Sequence, residues 1–151
     1  MSITVLLPTY NERDNLPLLV EELIEVFNRQ ELEHEIIVID DHSPDGTWEV
    51  AQRIERERDV VKAIIRIEDK GLASALRVGV EQATMDVVCF MDTDFSHPAQ
   101  DIVRMLERID GVDSVWASRY IEGGAMLAEK EMRIQRFLSK IFNYYLKFFL
   151  N

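Results

Sequence analysis

Asp92-Thr93-Asp94 places two carboxylates one residue apart, directly after the apolar run 87–91 (VVCFM). Charges at the end of a buried strand are costly unless something neutralises them. A hard divalent cation, Mg2+ or Mn2+, suits such oxygen ligands, and a diphosphate can complete its shell. The competing reading is a turn that caps the next helix, and an Asp-x-Asp taken alone favours that turn. Two other stretches change the weighting. Pro8-Thr9-Tyr10-Asn11-Glu12 follows the apolar run 3–7, and Asp40-Asp41-His42-Ser43-Pro44-Asp45-Gly46-Thr47 follows the run 35–39. Tyr10 can pack against a base or ribose, and carboxylates can accept hydrogen bonds from base N–H groups or ribose hydroxyls. Polar loops follow strands as a rule. Three of them, with the four acids Asp40, Asp41, Asp92 and Asp94 and Glu12 besides, call for a positive ligand to balance them.

The elements that must position these groups are legible as alternating strands and helices. Residues 3–7 read as a first strand stopped by Pro8. A helix follows, with Asn15 as N-cap, Pro17 in its first turn and Leu16, Leu19, Val20, Leu23, Ile24 and Phe27 on one face. Residues 35–39 form the second strand, and Thr47 caps a helix carrying Trp48, Ala51 and Ile54. Residues 60–67 form a third strand. Gly71 opens a helix over 72–83, and 87–91 is a fourth strand buried on both faces. Pro98 starts a helix with Ile102, Val103, Leu106 and Ile109 inward, and 114–117 is a short fifth strand. Such alternation predicts an α/β layered domain with a mostly parallel sheet. Ligands of such a sheet bind beyond the carboxyl ends of the strands, where all three polar loops fall.

The 151 residues suffice for one domain with a real core. A formal charge of −11 and a pI near 4.7 argue against non-specific nucleic-acid binding. Cys89 is the only cysteine, so no intramolecular disulfide forms, and it reads as a small core residue. Neither a signal peptide nor a run long enough to span a bilayer is visible. His34 and His42 read as surface or turn residues. Lys70 before Gly71 is open between an anion site at a helix start and a solvated side chain. Gly71, Ala73 and Ala75 suit close packing against the sheet.

Taken in order, PTYNERDNLP, IIVIDDHSPDGT, KGLASAL, VCFMDTDFSHP and ASRYIEGG resemble inverting family-two glycosyltransferases of the GT-A fold. Within that family the pattern is similar to dolichol-phosphate mannose synthases and other polyprenyl-phosphate glycosyltransferases. The resemblance implies a Rossmann-like GT-A domain over 1–128 followed by an amphipathic interfacial helix over 129–151. It implies transfer of a sugar, mannose from GDP-mannose, to a polyprenyl or dolichyl phosphate with inversion. Pro8, Tyr10, Glu12, Ile39 and Asp41 would line the nucleotide site together with Asp92, Thr93 and Asp94. Asp92 and Asp94 would hold Mg2+ or Mn2+, with Ser96 where some relatives have another ligand. Arg119 would face phosphate and, with Asp92 and Asp94, complete the catalytic set. A lipid-phosphate acceptor is already an anionic nucleophile, so no histidine has to act as base.

The segment 132–150 places Phe137, Leu138, Ile141, Phe142, Tyr145, Leu146, Phe149 and Leu150 at helical spacing, and its charges are all basic. It reads either as a helix packed on the domain or a partner subunit, or as one lying on an anionic membrane surface. The second reading implies a cytoplasmic protein held peripherally at the membrane. Gln135 departs from the family's usual basic pair, and no tryptophan follows Gly123-Gly124. The resemblance also implies further strands and a basic segment, which have no counterpart before Asn151. That leaves a fragment, a shortened chain or one half of an assembly as readings. Two rival functions remain: a haloacid-dehalogenase-like phosphatase with Asp92 as nucleophile, and a non-catalytic nucleotide-sugar-binding module.

Overall fold

The computed structural model describes residues 1–118. The order of elements is β1 (Ser2–Thr9), α1 (Asn15–Arg29), β2 (Glu33–Asp40), α2 (Thr47–Glu57), β3 (Val61–Ile65), α3 (Leu72–Gln82), β4 (Val87–Phe90) and α4 (Ala99–Leu106). The four strands form one parallel sheet in the order β3-β2-β1-β4. Chain order therefore reverses at β1: β2 and β3 lie on one side, β4 on the other. The carboxyl ends of β1 and β4 flank this switch point, which in open α/β sheets is where the ligand crevice forms.

Side chains alternate across the pleat. Ile3, Val5 and Leu7 of β1 and Ile36 and Val38 of β2 join one core with Leu16, Leu19, Val20, Leu23 and Phe27 of α1, Ala51 and Ile54 of α2, and Ile102 and Leu106 of α4. Leu6, Ile37 and Ile39 face the other way and pack with Ala75 of α3. Helix α3 lies very close to the sheet there. A Cβ placed on the buried Gly79 would stand 2.8 Å from Leu6 Cδ1 and 3.2 Å from Ile39 Cδ1. Gly79 and Ala75 thus supply the small-residue packing, whereas Ala73 and Gly71 are exposed. Gly71 is needed for its backbone, at φ +119° with open space where a side chain would go.

Several local expectations are corrected. Strand β1 does not stop at Pro8 but pairs Pro8 with Ile39 and Thr9 with Asp40. The carbonyl of Leu6 faces β4, accepting from the N–H of Met91, so Pro8 turns its missing donor to the same side, where β4 has already ended. Strand β4 is not buried on both faces: Val87 and Cys89 pack into the core, while Val88 and Phe90 are exposed. Residues 114–117 form no strand. They line an apolar groove of about 330 Å³ with β4 and α4, packing by side chains without a backbone ladder. Asn15 is the first residue of α1 rather than its cap, and Gly46, at φ +87°, precedes Thr47 at the start of α2. His34 is buried on β2 against Phe27, its Nδ1 2.8 Å from the carbonyl of Leu32, while His42 stacks on Trp48. Cys89 is a core residue whose thiol is pushed up to about 11 by burial. Among the described residues no helix is long and apolar enough to cross a membrane.

Candidate nucleotide-sugar site

The loops after β1, β2 and β4 all leave the same edge of the sheet, because the strands are parallel and β1 lies between the other two. Each loop holds a non-glycine residue in the left-handed region: Asn11 at φ 61°, His42 at φ 54° and Phe95 at φ 58°. Backbone of this kind persists only where surrounding contacts enforce it, and it concentrates at functional sites.

The acids after β2 are neutralised from within the chain. Asp40 is fully buried and accepts hydrogen bonds from the Thr9 hydroxyl (3.0 Å), the Ser43 N–H (2.8 Å) and the Ser43 hydroxyl (2.6 Å). Asp41 pairs with the guanidinium of Arg66, just past β3, and accepts the N–H of Gly71 at 2.7 Å. Arg66 is itself buried; its two terminal nitrogens also bind the carbonyls of Asp69 (2.9 Å) and Gly71 (3.0 Å) and the Ser74 hydroxyl (2.7 Å), while its Nε–H finds no partner among the described residues. The anion seated at the start of α3 is therefore Asp41, and Lys70 stands exposed beside it. Two of the four acids of the Asp motifs thus need no external cation, contrary to expectation. Arg66 was missed because nothing local distinguishes it in the sequence; its importance comes from the β2–β3 pairing.

The loop after β4 is different. Asp92 and Asp94 are exposed. The carboxylate of Asp92 makes no hydrogen bond or ion pair among the described residues. Asp94 accepts the N–H of Ser96 at 2.9 Å. Burial works against its ionisation, but the side chain and N–H of Ser96 and the nearby His97 outweigh it and hold the carboxyl below its ordinary value of 3.8. Between them Thr93 is buried, with a hydroxyl that finds no partner among the described residues. Phe95 packs against the core and pins the loop between Asp94 and Ser96.

Of the other expected residues, Tyr10 is 58% exposed at the end of β1, Pro8 is half-buried, and Glu12 is half-buried with its carboxylate accepting from the Asn15 amide at 2.8 Å. Ile39 has no exposed side chain. It packs against Leu6 and Ala75, so in this arrangement it seats Asp40 and Asp41 rather than touching a base. Arg119, Gly123-Gly124 and the basic segment 132–150 lie outside the described residues, as does the expected boundary at 128. The described residues contain no cluster of three acidic, histidine or cysteine side chains able to cage a metal unaided. Two exposed carboxylates, with only Ser96 bonded to Asp94, fit a cation whose remaining ligands come from water and a diphosphate.

The fold agrees with what the chain is similar to. The model for glycosyl transferase family 2 matches residues 4–151, and the chain belongs to that family. It is 44% identical over 127 residues to a dolichol-phosphate mannosyltransferase of Pyrococcus furiosus, covering 82% of this chain and 35% of the relative. It is 35% identical over 151 residues to the polyprenol monophosphomannose synthase of Mycolicibacterium smegmatis, covering 97% of this chain and 55% of the relative. A mannosyltransferase from Pyrobaculum calidifontis, solved in complex with GDP-Man and Mn2+, is 31% identical with a TM-score of 0.51, over 67% of this chain and 30% of that one. The chain thus spans between a third and just over half the length of these two curated relatives. The phosphatase reading falls with the family assignment, and with the position of Asp92 after the fourth strand rather than near the start of the domain.

Proposed function

We propose that this chain carries the donor site of a mannosyltransferase acting on polyprenyl phosphate. The observation that carries the reading is the pairing of two unlike loops across the β1/β4 switch point. One side is preformed and displays Tyr10; the other presents Asp92 and Asp94 with little compensation. The names of the relatives support mannose, a nucleotide donor and a polyprenyl acceptor.

In this reading Tyr10 and the loop around it receive the nucleoside, and Asp41 accepts from the base with lone pairs that Arg66 and Gly71 leave available. Asp92 and Asp94 would hold Mg2+ or Mn2+, and Ser96 orients Asp94. Such a cation, when bound, stabilises the negative charge that develops on the departing diphosphate. A phosphate oxygen of the acceptor forms the new bond to the anomeric carbon from the face opposite the breaking bond to the diphosphate, which inverts that centre. The nucleophile is already ionised, so the chain needs to position it rather than deprotonate it. Arg119 is assigned to the acceptor phosphate, and the basic, apolar segment 132–150 to an anionic membrane surface on the cytoplasmic side.

Calorimetric titration of GDP-mannose with and without Mn2+ tests the reading. Binding that requires Mn2+ and is weaker for UDP-glucose is the expected result. Metal-independent binding, or none, would overturn it. Mannosyl transfer to a short polyprenyl phosphate then tests the acceptor.

A further inference from the structure

Three consecutive backbone N–H groups in the loop after β1 are captured by side chains of the loop after β2 and the first residue of α2. Asn11 donates to the Ser43 hydroxyl (3.0 Å), Glu12 to the Thr47 hydroxyl (2.9 Å) and Arg13 to Asp45 Oδ2 (3.2 Å). Each hydroxyl is oriented by a carboxylate behind it. Ser43 gives its proton to Asp40 Oδ2 (2.6 Å), and Thr47 gives its proton to Asp45 Oδ1 (2.6 Å), so both oxygens turn lone pairs to the neighbouring loop. Hydrogen bonds chained to an ionised acceptor reinforce one another. Ser43 and Thr47 are 1% and 0% exposed, so their hydroxyls are shielded from water, whereas the Arg13–Asp45 bond lies at the surface.

A surface loop can satisfy its N–H groups with solvent. Here the same three groups are tied across more than thirty residues of chain, and the carbonyl of Glu12 is tied forward to the N–H of Leu16 (2.9 Å). The backbone is thereby fixed on both sides of Glu12, including the left-handed Asn11, and the adjacent Tyr10 is left displayed.

We propose that Ser43, Asp45 and Thr47 are positioning residues for donor binding: through two carboxylate–hydroxyl–amide relays they hold residues 10–13 in the conformation that receives the nucleotide. Ordering that loop in advance removes its ordering cost from the binding step. The proposal rests on the donor-binding reading of this loop, and it deepens that reading by naming side chains that need not touch the ligand.

Thr47→Val keeps the shape and removes both hydrogen bonds, whereas Thr47→Ser keeps the hydroxyl. Amide hydrogen exchange on the ligand-free chain is expected to speed up about tenfold or more at Asn11, Glu12 and Arg13 in Thr47→Val, with residues 3–7 of β1 unchanged. Affinity for GDP-mannose with Mn2+ is expected to fall about tenfold in Thr47→Val and to stay within about twofold in Thr47→Ser. Unchanged exchange at Glu12 would overturn the relay. Equal losses in the valine and serine variants would overturn the role of the hydroxyl. Failure of the unmodified chain to bind the nucleotide would count against the donor-site reading alone. The exchange rates then decide the relay, fast exchange supporting it and slow exchange overturning it. Should Thr47→Val not fold, Asp45→Asn takes its place, with faster exchange expected at Glu12 and Arg13.

Discussion

The ends of β2 and β4 both carry acids, yet they are built on opposite plans. After β2, Asp40 and Asp41 are enclosed by Thr9, Ser43, Arg66 and the N–H of Gly71. After β4, Asp92 and Asp94 stand exposed with Ser96 alone donating to them, and Thr93 buries a hydroxyl with no partner among the described residues. The first region meets its electrostatic needs from its own chain. The second keeps its oxygens available. Adjacent carboxylates therefore do not by themselves mark a cation site. In the proposed reading, what distinguishes one is acids left with few partners while their backbone is held in place, as Phe95 holds the loop after β4.

Breaking the β2 side should cost stability. Arg66→Met removes the guanidinium from a pair whose side chains are 7% and 14% exposed, leaving Asp41 with only the N–H of Gly71. A loss of about 3 kcal/mol is expected in urea unfolding, because removing one partner strands the other in a poorly solvated place. Breaking the β4 side should cost function instead. Asp94→Asn is expected to lower Mn2+-dependent affinity for GDP-mannose by about a hundredfold while shifting stability by less than about 0.5 kcal/mol, as for other exposed substitutions. If the two variants had similar effects on stability, the contrast between the regions would be wrong. Gly79→Ala is the control away from both loops. It crowds Leu6 and Ile39 and should cost about 1–2 kcal/mol, with the Mn2+ requirement for binding unchanged.

Much of the fold was legible because periodicity reports burial. The apolar stripe of α1 and the short runs of β1 and β2 correspond closely to the elements observed. Legibility failed where side-chain pattern and strand environment diverge. The run 87–91 is apolar throughout, yet Val88 and Phe90 are exposed, because apolarity states what can be buried and not what covers it. Pro8 read as a stop because a single strand does not show which neighbour ends first. At the site, the motif residues were visible, but their division of labour was not. Asp40 and Asp41 look alike in sequence, and only the pairing of β2 with β3 brings Arg66 to one of them. Ser43 and Asp45 looked like turn material, and Thr47 like a helix cap. Their partners lie about thirty residues earlier, a relation no local pattern encodes.

The smallest expected effect sharpens the comparison most, because it asks whether the β2-side loops depend on an ionised acid. Desolvation, the largest single effect, opposes ionisation of Asp45, but hydrogen bonds from the Thr47 side chain and from the backbone of Thr47 and Arg13 together outweigh it and hold the carboxyl below its ordinary value of 3.8. A carboxyl whose value is depressed on folding stabilises the native state fully above its unfolded value, and that contribution fades as pH falls through the folded one. Glu35, Asp69 and Asp86 are depressed as well, so the acid limb of the unmodified chain belongs to several groups. The difference between two chains isolates one of them. Urea midpoints of the unmodified chain and of Asp45→Asn, followed from pH 7 to pH 3, should run parallel down to about pH 5 and then converge. Convergence follows because only the unmodified chain has the Asp45 charge to lose. Curves that stay parallel to pH 3 would mean that the ionised Asp45 contributes nothing to holding the two loops together.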